Sequence, residues 1–371
     1  MNLLEIRDLT VSFPTADGVV RAVRGVSFSL EGGRTLGIVG ESGSGKTVCT
    51  QTLVGLTAGA DISGSAFFDG RDLLTMSPDA LRAVRGAQIA MIFQDPLSSL
   101  HPHYRVGWQI VEAIRAHEDV GRRAARAQAV ELLQLVGIPR ADRRIDDYPH
   151  QFSGGMRQRA MIAMALSLNP KVLIADEPTT ALDATVQAQI IDLIIRLQRD
   201  IGMALIMITH DLGVIATVAD DVAVMYAGKI IEYADRRTAY YQPHHPYTKG
   251  LIESIPSAVA AHRRLRPISG APPSLIRVPP GCAFHPRCPF VMPVCRTEVP
   301  PLRPVAGPAG HASACWLPTG LVGLGPEVDA GRHEAADRAR AHQAKIDGTP
   351  REAAARFGPP EAEQRAGGDT A

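Results

Sequence analysis

The chain has 371 residues, 45% of them hydrophobic and 21% charged, an ordinary balance for a globular protein of one large domain plus an extension. Its formal net charge of +1 gives no electrostatic bias toward nucleic acid or an anionic membrane surface. No apolar run approaches the roughly 18 residues that a membrane-spanning helix needs. The start, Met1-Asn2-Leu3-Leu4-Glu5-Ile6-Arg7, lacks the basic-then-apolar layout of a secretory signal. A cytoplasmic chain is therefore expected, meeting a membrane only through a partner.

Residues 1 to 35 are expected to form strands, because Val20, Ala22, Val26, Phe28 and Leu30 stand at even spacings, the period of a half-buried strand. Thr35-Leu36-Gly37-Ile38-Val39 is a short apolar run of the buried-strand type. Gly40-Glu41-Ser42-Gly43-Ser44-Gly45-Lys46-Thr47 follows at once and fits G-x-x-x-x-G-K-[ST]. A helix is expected from about Lys46, since such a loop delivers phosphate to a helix N-terminus. Residues 62 to 93 suggest more strand, ending in Gln88-Ile89-Ala90-Met91-Ile92-Phe93, with Gln94 just beyond. From about 105 the pattern turns helical: Ala125, Ala129, Leu132, Leu133 and Val136 fall at three- and four-residue steps. Val172-Leu173-Ile174-Ala175 and Ala204-Leu205-Ile206-Met207-Ile208 are core strands, and between them Val186, Ile190, Leu193, Ile194 and Leu197 mark a helix. This alternation implies a parallel sheet flanked by helices. Near residue 240 prolines become frequent, so regular elements there should be short. Residues 320–371, rich in Ala, Arg, Glu and Gly, are expected to be disordered, with a transient helix near 333 to 345.

Backbone N–H groups of Gly40, Ser42, Gly43, Ser44 and Gly45 should converge on phosphate oxygens, and glycine lets the backbone come that close. Lys46 adds a point charge for the β- and γ-phosphates, and the Thr47 hydroxyl is suited to Mg²⁺. Asp176 stands at a strand end, where residues face a crevice in an open α/β sheet, and should hold Mg²⁺ directly or through water. Glu177 can orient and polarise the water that attacks the γ-phosphate. His210, after another core strand, suits a γ-phosphate contact, against the alternative of a hydrogen-bonded structural histidine. Gln94 could touch Mg²⁺ or the water, or be a turn residue in Gln94-Asp95-Pro96.

Cysteine usage is uneven: Cys49 is alone, while the others run Cys282-x5-Cys288-x6-Cys295-x19-Cys315. Four thiolates can hold a [4Fe–4S] cluster or one zinc ion, and this spacing matches neither common ferredoxin runs nor paired zinc knuckles. The prolines around them suit a loop wrapped on a metal. Cys49, in the helix after the glycine loop, is expected to pack.

Phe152-Ser153-Gly154-Gly155-Met156 resembles the signature of ATP-binding cassette transporters, commonly Leu-Ser-Gly-Gly-Gln. With the phosphate loop, Gln94, Asp176-Glu177 and His210 in this order, the chain resembles the nucleotide-binding subunit of that family over residues 4 to about 235. The resemblance implies an α/β P-loop NTPase cassette with a RecA-like parallel core, an antiparallel β subdomain and a helical subdomain at about 95–165. In that family two cassettes pack head to tail, so Ser153, Gly154 and Gly155 would act on a partner's ATP. Asp183 would lie on the loop that crosses the interface. Phe13 stands where the family has an aromatic that stacks on adenine, with a core phenylalanine as the competing role. Gln94 matches the loop that senses the membrane subunit.

Tyr148-Pro149-His150-Gln151 before the signature, Asp95-Pro96-Leu97-Ser98-Ser99-Leu100-His101-Pro102, and His244-His245-Pro246-Tyr247-Thr248-Lys249 resemble the dipeptide/oligopeptide importer subfamily, which includes nickel and some sugar systems. That resemblance implies a cassette domain over 1–240, a C-terminal extension over 241–319 and a tail over 320–371. It implies ATP and Mg²⁺, a [4Fe–4S] cluster with zinc as the alternative, and a heterodimer with a second cassette. It also implies two permease subunits, an extracytoplasmic solute-binding protein and a place on the cytoplasmic face of the membrane. A single glycine loop and no long heptad run count against a cassette ATPase of DNA repair or translation. Intact Glu177 and His210 count against an iron–sulfur regulatory protein with a vestigial nucleotide fold.

Overall fold

The computed structural model describes residues 2–95, 99–180, 182–254 and 268–318. Two long strands open the chain, β1 (Asn2–Thr15) and β2 (Gly18–Glu31), paired antiparallel. With β4 (Asp61–Phe68) and β5 (Arg71–Asp72) they form a sheet in the order β2-β1-β4-β5. β3 (Thr35–Val39) instead enters a second sheet, in which it runs parallel to β8 (Ala204–Thr209) on one side and β9 (Asp221–Tyr226) on the other. β7 (Val172–Asp176) continues beyond β8, and β6 (Ile89–Ile92) beyond β7, both parallel.

The core follows from strand alternation. Ile38, Ile174, Ile206 and Ile208 point to the antiparallel sheet and to helix α1 (Lys46–Leu53), where they meet Leu4, Ile6, Phe28 and Leu53. Val39, Leu173, Ala175, Leu205 and Met207 point the other way. There they pack on α3 (Val106–Arg115), α4 (Arg122–Leu135), α6 (Gly154–Ala165) and α7 (Ala184–Ile201). β3, β7 and β8 are buried along their whole length, which is why they are nearly continuous apolar runs.

Residues 78–84 depart from the sequence reading. They form helix α2 (Pro78–Val84) within a stretch expected to be strand. Ser77 caps it by accepting the Ala80 N–H at 3.3 Å, Pro78 occupies its first turn and Asp79 follows. These are strong helix-start signals that outweigh a short apolar run. α5 (Ala141–Arg144) is a single turn beside α4.

After β9 the sheet turns antiparallel through β10 (Lys229–Asp235). α8 (Leu212–Val218) precedes β9, and α9 (Arg236–Tyr241) and α10 (Pro246–Glu253) follow β10. Beyond these, regular structure among the described residues is short: single 3₁₀ turns and the two-residue strands β11 (Arg303–Pro304) and β12 (Ala312–Ser313). β12 pairs with β10, so the C-terminal region extends the central sheet. Glu232, buried on β10, fastens this join. It accepts the His244 N–H at 2.6 Å, the His245 N–H at 3.0 Å and a contact from His311 Nε2 at 2.8 Å. The stretch 320–371 expected to be disordered lies outside the described residues. Among the described residues no helix is long and apolar enough to cross a membrane.

Candidate functional site

β3, β8, β7 and β6 are neighbours in the sheet, and each delivers site residues just past its carboxyl end. These are residues 40–47 after β3, His210 after β8, Asp176 and Glu177 at β7, and Gln94 after β6. The crevice outside the carboxyl ends of parallel strands is where open α/β sheets bind ligands.

In the glycine loop two positions demand glycine. Gly40 has φ 153° and a Cβ there would lie 2.2 Å from the Met225 carbonyl oxygen; Gly45 has φ 98° and its Cβ would lie 2.2 Å from that of Ala22. Gly45 precedes α1 with no side-chain cap, so the first amides of the helix are left for another acceptor. Lys46 is buried, and its Nζ donates to the Gly40 and Glu41 carbonyls at 2.7 and 3.0 Å. Burial lowers its pKa, against the opposing pull of Glu177, Asp176 and Glu41. Gly43 and Ser42 lie along the same loop. The buried Ser44 hydroxyl has no hydrogen-bond partner, an acceptor or donor free inside the loop.

Thr47 Oγ1 donates to Asp176 Oδ1 at 3.1 Å. An alcohol and a buried carboxylate side by side make an oxygen donor pair of the kind Mg²⁺ takes. Burial raises the Asp176 pKa, and the Thr47 hydrogen bond works against that rise. Glu177 is the hub of the crevice. Gln94 Nε2 and Thr180 Oγ1 donate to its Oε2 at 3.1 and 2.9 Å, and His210 Nδ1 lies 3.3 Å from Oε1. Gln94, His210 and Glu177 are thus brought together. Thr180 was not singled out from sequence; its only signal was a hydroxyl three residues after the glutamate, in a turn closed by the Thr180 N–H to the Glu177 carbonyl.

The signature residues stand apart from this crevice. Ser153 caps α6, its Oγ accepting the Met156 N–H at 3.4 Å, and Gly155 lies so close to α7 that a Cβ would meet Val186 at 2.8 Å. Among the described residues no hydrogen bond joins Ser153, Gly154 or Gly155 to residues 40–47. Asp183 caps α7, accepting the Thr185 and Val186 N–H groups at 3.1 and 3.0 Å. Phe13 sits on β1 opposite Val20 and packs against the core of that sheet.

Cys282, Cys288, Cys295 and Cys315 line one cavity, beside His245 and Phe284. Burial pushes the Cys288 and Cys315 thiols up to about 11 and raises Cys282 as well. Among the described residues no group of three or more His, Cys, Asp or Glu side chains is arranged to hold a metal ion. Cys49 is fully buried in α1, as expected of a packing residue, and burial pushes its thiol to about 12.

A model of the ABC transporter family matches residues 23–180, and one of the oligopeptide/dipeptide transporter C-terminal region matches residues 231–295. The chain is 50% identical to the oligopeptide transport ATP-binding protein OppD of Salmonella typhimurium over 317 residues, which is 85% of this chain and 94% of that one. It is 50% identical to the dipeptide transport ATP-binding protein DppD of Bacillus subtilis over 318 residues, again 85% and 94%. Among solved structures it resembles a dimeric ATP-binding cassette in a post-hydrolysis state bound to ADP and Pi, with TM-score 0.57 and 24% identity over 63% of this chain and 99% of that one. It also resembles a Clostridium perfringens protein that is part of an ABC transporter complex, with TM-score 0.55 and 27% identity over 64% and 90%.

Proposed function

The chain belongs to the ABC transporter family, among its oligopeptide and dipeptide transport ATP-binding proteins, and from that premise we propose that it is the ATP-hydrolysing subunit of a membrane importer that takes up di- and oligopeptides. The observation that carries the chemistry is the convergence of Gln94, Thr180 and His210 on Glu177, beside a phosphate loop closed by Lys46. A carboxylate held from three sides can orient a water for in-line attack on the γ-phosphate and take its proton. His210 contacts the γ-phosphate as charge develops, and the amides of residues 42–47 with Lys46 cradle the phosphates. Thr47 and Asp176 would hold Mg²⁺, with Gln94 nearby, and bound Mg²⁺ supplies charge neutralisation at the β- and γ-phosphates. Phe13 stacks on adenine from the carboxyl end of β1.

One chain carries only part of such a site. Ser153, Gly154, Gly155 and Asp183, which make no hydrogen bond to the chain's own loop among the described residues, cap the nucleotide of a second cassette packed head to tail. That partner is a different cassette subunit, and the pair docks on two permease subunits at the cytoplasmic face, near Gln94, fed by an extracytoplasmic binding protein. The assembly is tested by ATP-driven uptake of a labelled peptide in proteoliposomes; uptake of nickel alone would favour the alternative cargo.

In this reading Cys282, Cys288, Cys295 and Cys315 would hold a [4Fe–4S] cluster, with zinc as the alternative. The support for this reading is that four thiols line one cavity, the number of ligands such a cluster takes. Chain purified without oxygen should contain about four irons and four acid-labile sulfides; one zinc and no sulfide would replace the cluster by a zinc clip.

A further inference from the structure

The phosphate loop is gripped from outside by the C-terminal region. Glu41, second in the loop, receives a two-pronged ion pair from Arg287: Nη1 to Oε2 at 2.6 Å and Nη2 to Oε1 at 2.9 Å. The Arg287 side chain is 5% exposed and that of Glu41 27%. Two further donors of the fork are fixed as well, Nε on the Ser269 carbonyl at 3.0 Å and Nη1 on the Tyr226 hydroxyl at 3.3 Å. On the other side the Glu41 N–H donates to the hydroxyl of the buried Tyr247 at 2.8 Å. The Glu41 carbonyl in turn accepts from Lys46. An arginine 246 positions away in sequence is therefore one residue removed from the lysine of the loop.

The placement poses an electrostatic problem that Arg287 resolves. A carboxylate inside a loop that must receive a triphosphate repels the ligand, and in a partly buried site that repulsion is weakly screened. A bidentate guanidinium both neutralises the carboxylate and fixes its direction. We propose that Arg287 is a positioning residue of the nucleotide site: by neutralising Glu41 and anchoring the start of the phosphate loop, it makes ATP affinity depend on the docked C-terminal region. The inference rests on residues 40–47 being the ATP site.

The test is titration of the full-length chain with a fluorescent ATP analogue. Arg287→Ala should bind about tenfold more weakly, because an unpaired anion is left in the loop. Glu41→Gln should bind within about threefold of wild type, and Arg287→Ala/Glu41→Gln within about threefold of Glu41→Gln, because no anion is left unpaired. In the importer complex the Arg287→Ala defect should appear in the KM for ATP far more than in kcat. Arg287→Gln carries the same expectation of about tenfold if the alanine variant does not fold. Unchanged affinity in both Arg287 variants overturns the proposal, and so does a loss that persists in full when Glu41 is glutamine, since Arg287 would then serve folding alone. A wild-type chain that binds no ATP would instead overturn the assignment of the loop.

Discussion

Glu177 has φ 45°, in the left-handed region that side chains other than glycine rarely adopt, at a cost of order 1 kcal/mol. The surroundings impose it: its N–H donates to the Ile208 carbonyl at 2.8 Å while three side chains hold its carboxylate. Glutamine has the same shape and can occupy the same place without the charge. Glu177→Gln should therefore bind ATP within about threefold of wild type and lose hydrolysis by at least ~10²-fold in the assembled complex. Parallel binding and single-turnover measurements would separate the two, and near-normal turnover would remove Glu177 from the role. Gly40, Gly45 and Lys46 stood out in the sequence because a phosphate loop fixes its residues at set spacings, and Asp176-Glu177 because they close an apolar run. Thr180 did not, because its place depends on a turn that folds back only after β7 ends. Arg287 did not, because nothing local marks an ion pair across the whole chain.

At the scale of elements, the parallel core was legible because β3, β7 and β8 are short apolar runs whose alternate residues feed two cores. α2 was missed because its evidence lies in Ser77-Pro78-Asp79 and not in its apolar residues. The join of β10 to β12 was hidden too, since strands of two residues have no period. That join is set by buried polar groups, and the buried His245 beside it is predicted to make stability depend on pH. Burial lowers the His245 pKa from 6.5 to about 4. The unfolded chain takes up this proton below about pH 6.5, while the folded chain resists until about pH 4. The stability is thus fully present above pH 6.5 and lost as pH falls through 4, amounting to about 3 kcal/mol from this group. Denaturant unfolding of the full chain at pH 7 and pH 5, alongside His245→Gln, should show a fall in the wild type that is smaller in the variant; equal falls would place the pH response elsewhere.

At the scale of the molecule, the carboxyl ends of β3, β8, β7 and β6 gather residues 40–47, His210, Asp176-Glu177 and Gln94, and under the proposed function a second cassette completes that site. The C-terminal region does not hang from the cassette: β12 lengthens the central sheet, Glu232 locks the join, and Arg287 with Tyr247 reaches the phosphate loop. The central claim is that ATP hydrolysis at Glu177 drives peptide import. It is met most directly by uptake of a radiolabelled di- or oligopeptide into proteoliposomes holding this chain, its partner cassette, the permease subunits and the binding protein. Uptake is predicted to need ATP on the cassette side and to fall to background when this chain carries Glu177→Gln. Peptide uptake that proceeds without ATP, or is unchanged in that variant, would contradict it.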